Sequence, residues 1–126
     1  MNIVSTVARI LLGALFIFAG ASAFFISPQP PPGLAGAFLE ISLRSHFVLF
    51  VGAAQLTLGL LLVVNRFVPV ALIMLAAFLY NSFAFHITMA QSALFAPVIV
   101  LLLWLLVALP YRAVFAPIFA AKPPTT

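Results

Sequence analysis

The feature that decides what this chain can fold into is a succession of four long, mainly apolar runs, residues 4–26, 46–64, 67–89 and 93–109. A helix needs about 20 apolar residues to cross the hydrocarbon of a bilayer, and each run is close to that length. Inside lipid every backbone N–H and C=O must be satisfied within the segment, so runs of this kind become helices. Composition agrees, since 67% of the 126 residues are hydrophobic and only 5% are charged, against about a quarter in soluble domains. The expected fold is all-α, an integral membrane four-helix bundle that forms a single transmembrane domain over 1–126, with the lipid bilayer as its first partner.

The connections carry the topology. Residues 27–45 hold Pro28, Pro30, Pro31, Pro32 and Gly33, and a proline run lacks backbone donors and cannot continue a helix, so this stretch leaves the lipid as a Pro-rich loop. Within it, Leu34, Phe38 and Ile41, with Glu40 and Arg44 one turn apart, predict a short amphipathic helix at the interface. Asn65 and Arg66 make a connection so short that the second and third helices form an antiparallel hairpin, with Pro69 tolerated in the first turn of the third. Gln91 and Ser92 are an equally short link. Residues 110–126 read as a tail, interfacial over 111–119 and disordered at its end.

Positive charge sets the orientation, because short loops rich in Lys and Arg stay in the cytoplasm. Arg66, Arg112 and Lys122 share one side, which with four spans also holds both termini; the Pro-rich loop then faces outward. A competing reading takes Arg9, the first apolar run and the small residues Ala21, Ser22 and Ala23 as a secretory signal. The run continues through Phe24, Phe25 and Ile26 and is long enough to span, so retention is the expectation.

Several functions are excluded. The net charge of +4 comes from Arg9, Arg44, Arg66, Arg112 and Lys122 against Glu40 alone, scattered rather than gathered into the stripe that nucleic-acid binding needs. The chain has no cysteine, which removes thiolate metal sites and catalytic thiols. His46 and His86 do not make a metal site by themselves.

Small and polar residues in the spans are the informative ones. Gly13 and Gly20 mark one face of the first helix, and Gly52 and Gly59 one face of the second. Close backbone approach at small residues drives association in lipid, so these faces are expected to meet. Gln55 and Asn81 fall near mid-membrane and, reflected about the hairpin, within about one turn of each other. They can bond amide to amide as interhelical glue or line a ligand site. Arg9 can snorkel to the headgroups, or point inward and hold an anionic or carbonyl group with Gln55 beside it. His86 lies near the outer end of the third helix, suited to a structural role or to carrying protons. Tyr80 and Trp104 are set too deep for an aromatic belt and can fill the core or stack on a flat ligand.

The segments VARILLGALFIFAG, VGAAQLTLGLLLVVNRFVPVAL, YNSFAFH and WLLVALPYRAVFAP resemble the DoxX-like membrane proteins over nearly the whole chain. The resemblance implies a compact four-helix protein of the bacterial cytoplasmic membrane and, for some relatives, a place in quinone-linked oxidation of sulfur compounds or in membrane oxidoreductase complexes. By position it transfers to Arg9, Asn81 and His86. Gln55 stands where family members often carry a glutamate, and an amide there cannot take up a proton.

Two functions are open at this level, and the residues alone do not decide whether the chain is an enzyme. In one, Arg9, Gln55, Tyr80, Asn81 and His86 hold a quinone head group, bound without a covalent link, beside redox partner proteins. In the other, the chain is a structural or assembly subunit of a larger membrane complex or of a homo-oligomer. Solute transport is disfavoured, because one small bundle offers little room for a path.

Overall fold

Asn2 starts the first helix by accepting the Ser5 N–H on its side-chain oxygen at 2.8 Å, a cap that pairs one of the amide donors every helix start leaves free. In the computed structural model, which describes residues 2–126, α1 then runs over Ile3–Phe25. Its buried residues, Ser5, Ala8, Arg9, Leu12, Gly13, Phe16 and Gly20, recur every three or four positions and form one stripe.

Past α1 the chain is non-helical through the proline run, and α2 (Leu34–Arg44) follows. Gly33 caps it at φ 89°, a conformation that only glycine adopts freely. The Pro31 carbonyl lies so close to Gly36 that no side chain fits there. Glu40 and Arg44 form an exposed ion pair at 3.7 Å, one turn apart as their spacing predicts. His46, at φ 64°, turns the chain, and α3 (Phe47–Val63) leaves α2 at 88°.

Asn65 and Phe67, at φ 59° and 54°, close the hairpin into α4 (Val68–Met89), whose first turn contains Pro69. A 3₁₀ turn, Gln91–Ala93, leads into α5 (Phe95–Ala108). Helical structure does not stop at Pro110. A 3₁₀ turn over Leu109–Tyr111, the short α6 (Arg112–Phe115) and a 3₁₀ turn over Ala116–Phe119 continue the path. A proline at the start of a turn removes a donor that is free there anyway, so the chain tightens and carries on.

Among the described residues, three helical segments are long and apolar enough to cross a membrane: Ile3–Phe25, Val68–Met89 and Gln91–Phe119. The bent pair α2 and α3 makes a fourth when taken as one span. Leu12, Leu62, Leu72, Leu75 and Val107, drawn from α1, α3, α4 and α5, are fully buried in one core. Phe16 meets Phe78 edge to face across it, with ring centres 6.4 Å apart.

The tightest seam joins α1 to α3, which run antiparallel with Gly13 against Gly59 and Gly20 against Gly52. A Cβ on Gly59 would lie 2.7 Å from both the Gly13 carbonyl oxygen and the Ile17 amide nitrogen. Helix backbones approach this closely where glycines face each other, which is how helices associate in lipid without a hydrophobic force. Two polar contacts tie the remaining helices. Ser5 Oγ donates to the Leu106 carbonyl of α5 at 3.0 Å, and Trp104 Nε1 donates from α5 to the Leu72 carbonyl of α4 at 2.8 Å. Trp104 thus serves the core.

Candidate functional site

Arg9 lies on the buried stripe of α1 at 7% exposure. It points inward and does not snorkel. Its Nη1 donates to the Leu62 carbonyl and, at 3.1 Å, to that of Val63. These carbonyls end α3, where the helix dipole favours a cation; that of Leu62 also accepts the Asn65 N–H at 3.2 Å. The guanidinium is therefore engaged by protein backbone, although its Nε is buried without a partner.

The other polar residues do not gather around it. Gln55 is half-buried on α3, seven residues before Leu62, or about 10 Å along the helix. Among the described residues no hydrogen bond joins it to Arg9 or to Asn81, so the expected amide pair is not formed. The reason is the rotation of α4. Its buried positions are Val68, Ala71, Leu72, Leu75 and Leu79, and at 100° per residue Asn81 falls on the opposite side. Asn81 is exposed and donates Nδ2 to the Ala77 carbonyl of its own helix at 2.9 Å. Tyr80 is 77% exposed on the same outer side and does not fill the core.

His86 is half-buried near the far end of α4, where its Nδ1 bonds the Ser82 carbonyl at 2.7 Å. Next to it Phe85 receives Phe38 of α2, with ring centres 5.5 Å apart. This contact seats α2 against α4. Among the described residues no group of three His, Cys, Asp or Glu could hold a metal ion. Two open grooves mark the surface, and both are apolar. One, of about 300 Å³, lies between α1 and α5 and is lined by Val7, Ala8, Leu11 and Leu103; the other, of about 280 Å³, lies under Trp104, Arg112 and Phe119. Neither is lined by Arg9, Gln55, Tyr80, Asn81 or His86.

What the geometry does assemble is an outward face of α4. Val70, Ile73, Ala77, Asn81, Ala84 and Thr88 are all exposed and share one side at helical spacing. Thr88 returns its hydroxyl to the Ala84 carbonyl at 2.7 Å, so it presents little polarity. Asn81 differs, because its Oδ1 and second Nδ2 hydrogen have no partner among the described residues. Asn81 stands 13 residues into α4 and eight from its end, near the middle of the hydrocarbon. An unpaired amide there costs about 1–3 kcal/mol by protein measures and more in a medium that cannot hydrogen-bond. Reading the sequence identified Asn81 but not its direction, nor the flanking Ala77 and Ala84. Their spacing of four and three around Asn81 was the available signal.

Apolar helices of spanning length, tied by glycine contacts and a few buried polar bonds, define a multi-pass helical membrane protein. The chain belongs to the DoxX family, whose sequence model matches residues 4–90, from α1 through α4. No curated protein and no solved structure matches it.

Proposed function

We propose that this chain is a four-span subunit of the bacterial cytoplasmic membrane, with both termini in the cytoplasm, that works by lateral docking onto membrane helices. The fourth span in this reading is α3, with α2 lying at the outer interface. The observation that carries it is the outward direction of Tyr80 and Asn81 at mid-membrane. Polar side chains in a span pair with a partner or mark a function, and the polar atoms these two expose face away from the chain's own core. Orientation follows from Arg66, Arg112 and Lys122 on the side of the termini. Where relatives belong to membrane oxidoreductase systems, this reading gives the chain the scaffold role, and electrons pass through other subunits.

The quinone reading requires the head group to meet Arg9, Gln55, Tyr80, Asn81 and His86 together, whereas Arg9 is bonded at the end of α3 and Tyr80 faces outward. The test is photo-crosslinking in native membranes from a benzophenone side chain replacing Tyr80. Protein adducts are expected, and labelling of lipid alone would overturn the docking reading. Solvent extraction of the purified wild type, Arg9→Leu and Asn81→Leu forms, followed by mass spectrometry, runs beside it. A quinone found in the wild type and lost from both variants would transfer the assignment to a quinone site.

A further inference from the structure

We infer that the partner seated on the outward face of α4 is a second copy of this chain, paired through Asn81 across a two-fold axis along the membrane normal. The inference rests on the docking reading above and names its occupant.

After bonding Ala77, Asn81 keeps one acceptor oxygen and one N–H, so it needs a partner that supplies both at once. A carboxamide is self-complementary in this sense: two of them face to face make two N–H···O bonds and leave no N–H unpaired. Depth imposes a second condition, since the partner's amide must sit at the same level in the bilayer. Copies of one chain insert in the same orientation, so a two-fold axis along the normal puts Asn81 opposite Asn81 with no adjustment. An isologous contact of this kind is the commonest way soluble subunits pair.

The flanking residues fit. Ala77 and Ala84 lie seven apart with Asn81 between them, and all three are exposed. Small side chains at heptad spacing let two helices approach closely, and a single buried Asn in such a seam sets register and stoichiometry. Val70 and Ile73, on the same side of α4, are exposed as well, so this side is open to receive a neighbour. Tyr80 borders the seam at one edge.

The absence of cysteine makes the test clean. Single-cysteine variants Ala77→Cys and Ala84→Cys, in native membranes treated with copper phenanthroline, should give disulfide-linked homodimers of twice the chain mass. Leu102→Cys, on the exposed side of α5, should not. Asn81→Leu should weaken dimerisation by about 5- to 30-fold in bilayer dilution experiments, and Asn81→Gln should restore part of it. Unchanged Trp104 emission in each variant verifies the fold. Adducts at Ala77 and Ala84 to a protein of different mass, without self-adducts, would overturn the second-copy inference and leave lateral docking standing. No protein adducts at either position, together with labelling of lipid alone from position 80, would overturn both. Equal self-crosslinking at Leu102 would mark the dimers as collisions and overturn the inference.

Discussion

Replacing Gly59 with alanine sets two effects of opposite sign against each other. On helix propensity alone the change is favourable, by about 1 kcal/mol, because glycine in a helix interior costs backbone entropy. The structure argues the other way. The new Cβ would lie 2.7 Å from the Gly13 carbonyl oxygen and 2.7 Å from the Ile17 amide nitrogen, and 3.0 Å from Ile17 Cγ1. Ordinary contact begins near 3.4 Å, so α1 and α3 must part by about 0.7 Å, a gap that forfeits a quarter to a half of each affected dispersion contact. Neither backbone atom can rotate away. Overpacking of this kind costs about 1–3 kcal/mol, and two rigid neighbours place Gly59 in the upper part of that range. The net expectation is a loss of about 1–2 kcal/mol after the propensity gain is subtracted. Reversible unfolding in mixed micelles, followed by Trp104 emission, measures it. Ala14→Leu, on the exposed side of α1, is the control and should change stability by less than about 0.5 kcal/mol. A Gly59→Ala protein more stable than wild type would refute the close approach of α1 and α3.

Arg9→Leu should lower stability by about 1–3 kcal/mol in the same unfolding assay, through the lost charge-assisted bonds to the Leu62 and Val63 carbonyls; Arg9→Lys keeps a cation at the end of α3 and should recover part of the loss. Trp104 is the only tryptophan, and its half-buried ring beside an open apolar groove predicts short-wavelength emission with partial quenching by brominated lipid. Following unfolding by circular dichroism, Trp104→Phe should cost about 0.5–1.5 kcal/mol for the bond to Leu72. Phe67 holds φ 54°, so Phe67→Val should destabilise the hairpin by about 1–2 kcal/mol. Phe67→Gly should be neutral or stabilising, as measured by thermal aggregation in detergent.

Much of the α1–α3 half could be read from residue order, because glycines are rare in this chain and their spacing of seven singles out one side of each helix. The ion pair of Glu40 and Arg44 followed from spacing for the same reason. The direction of α4 could not be read. Apolar residues lie on every side of it, and lipid is as apolar as a protein core, so hydrophobicity does not distinguish inside from outside. Asn81 and Tyr80 were accordingly expected to face inward. The fate of Arg9 turned on the end of another helix: the carbonyls of Leu62 and Val63, brought level with it by the glycine seam, capture a side chain that was equally able to reach the headgroups.

The 88° corner at His46 has a consequence for the membrane itself. Beyond that corner α3 is 17 residues long, about 25 Å against a hydrocarbon layer of about 30 Å, while α1 with 23 residues reaches about 34 Å. On the four-span reading the protein is therefore not of uniform thickness: it presents lipid with a low wall along α3 and high walls elsewhere. Leu34, Phe38 and Ile41, exposed on α2, roof the low side with apolar surface at headgroup depth. Acyl chains along that side must shorten or tilt to match, so the molecule grades the bilayer around itself and should settle where shorter chains make the gradient least costly.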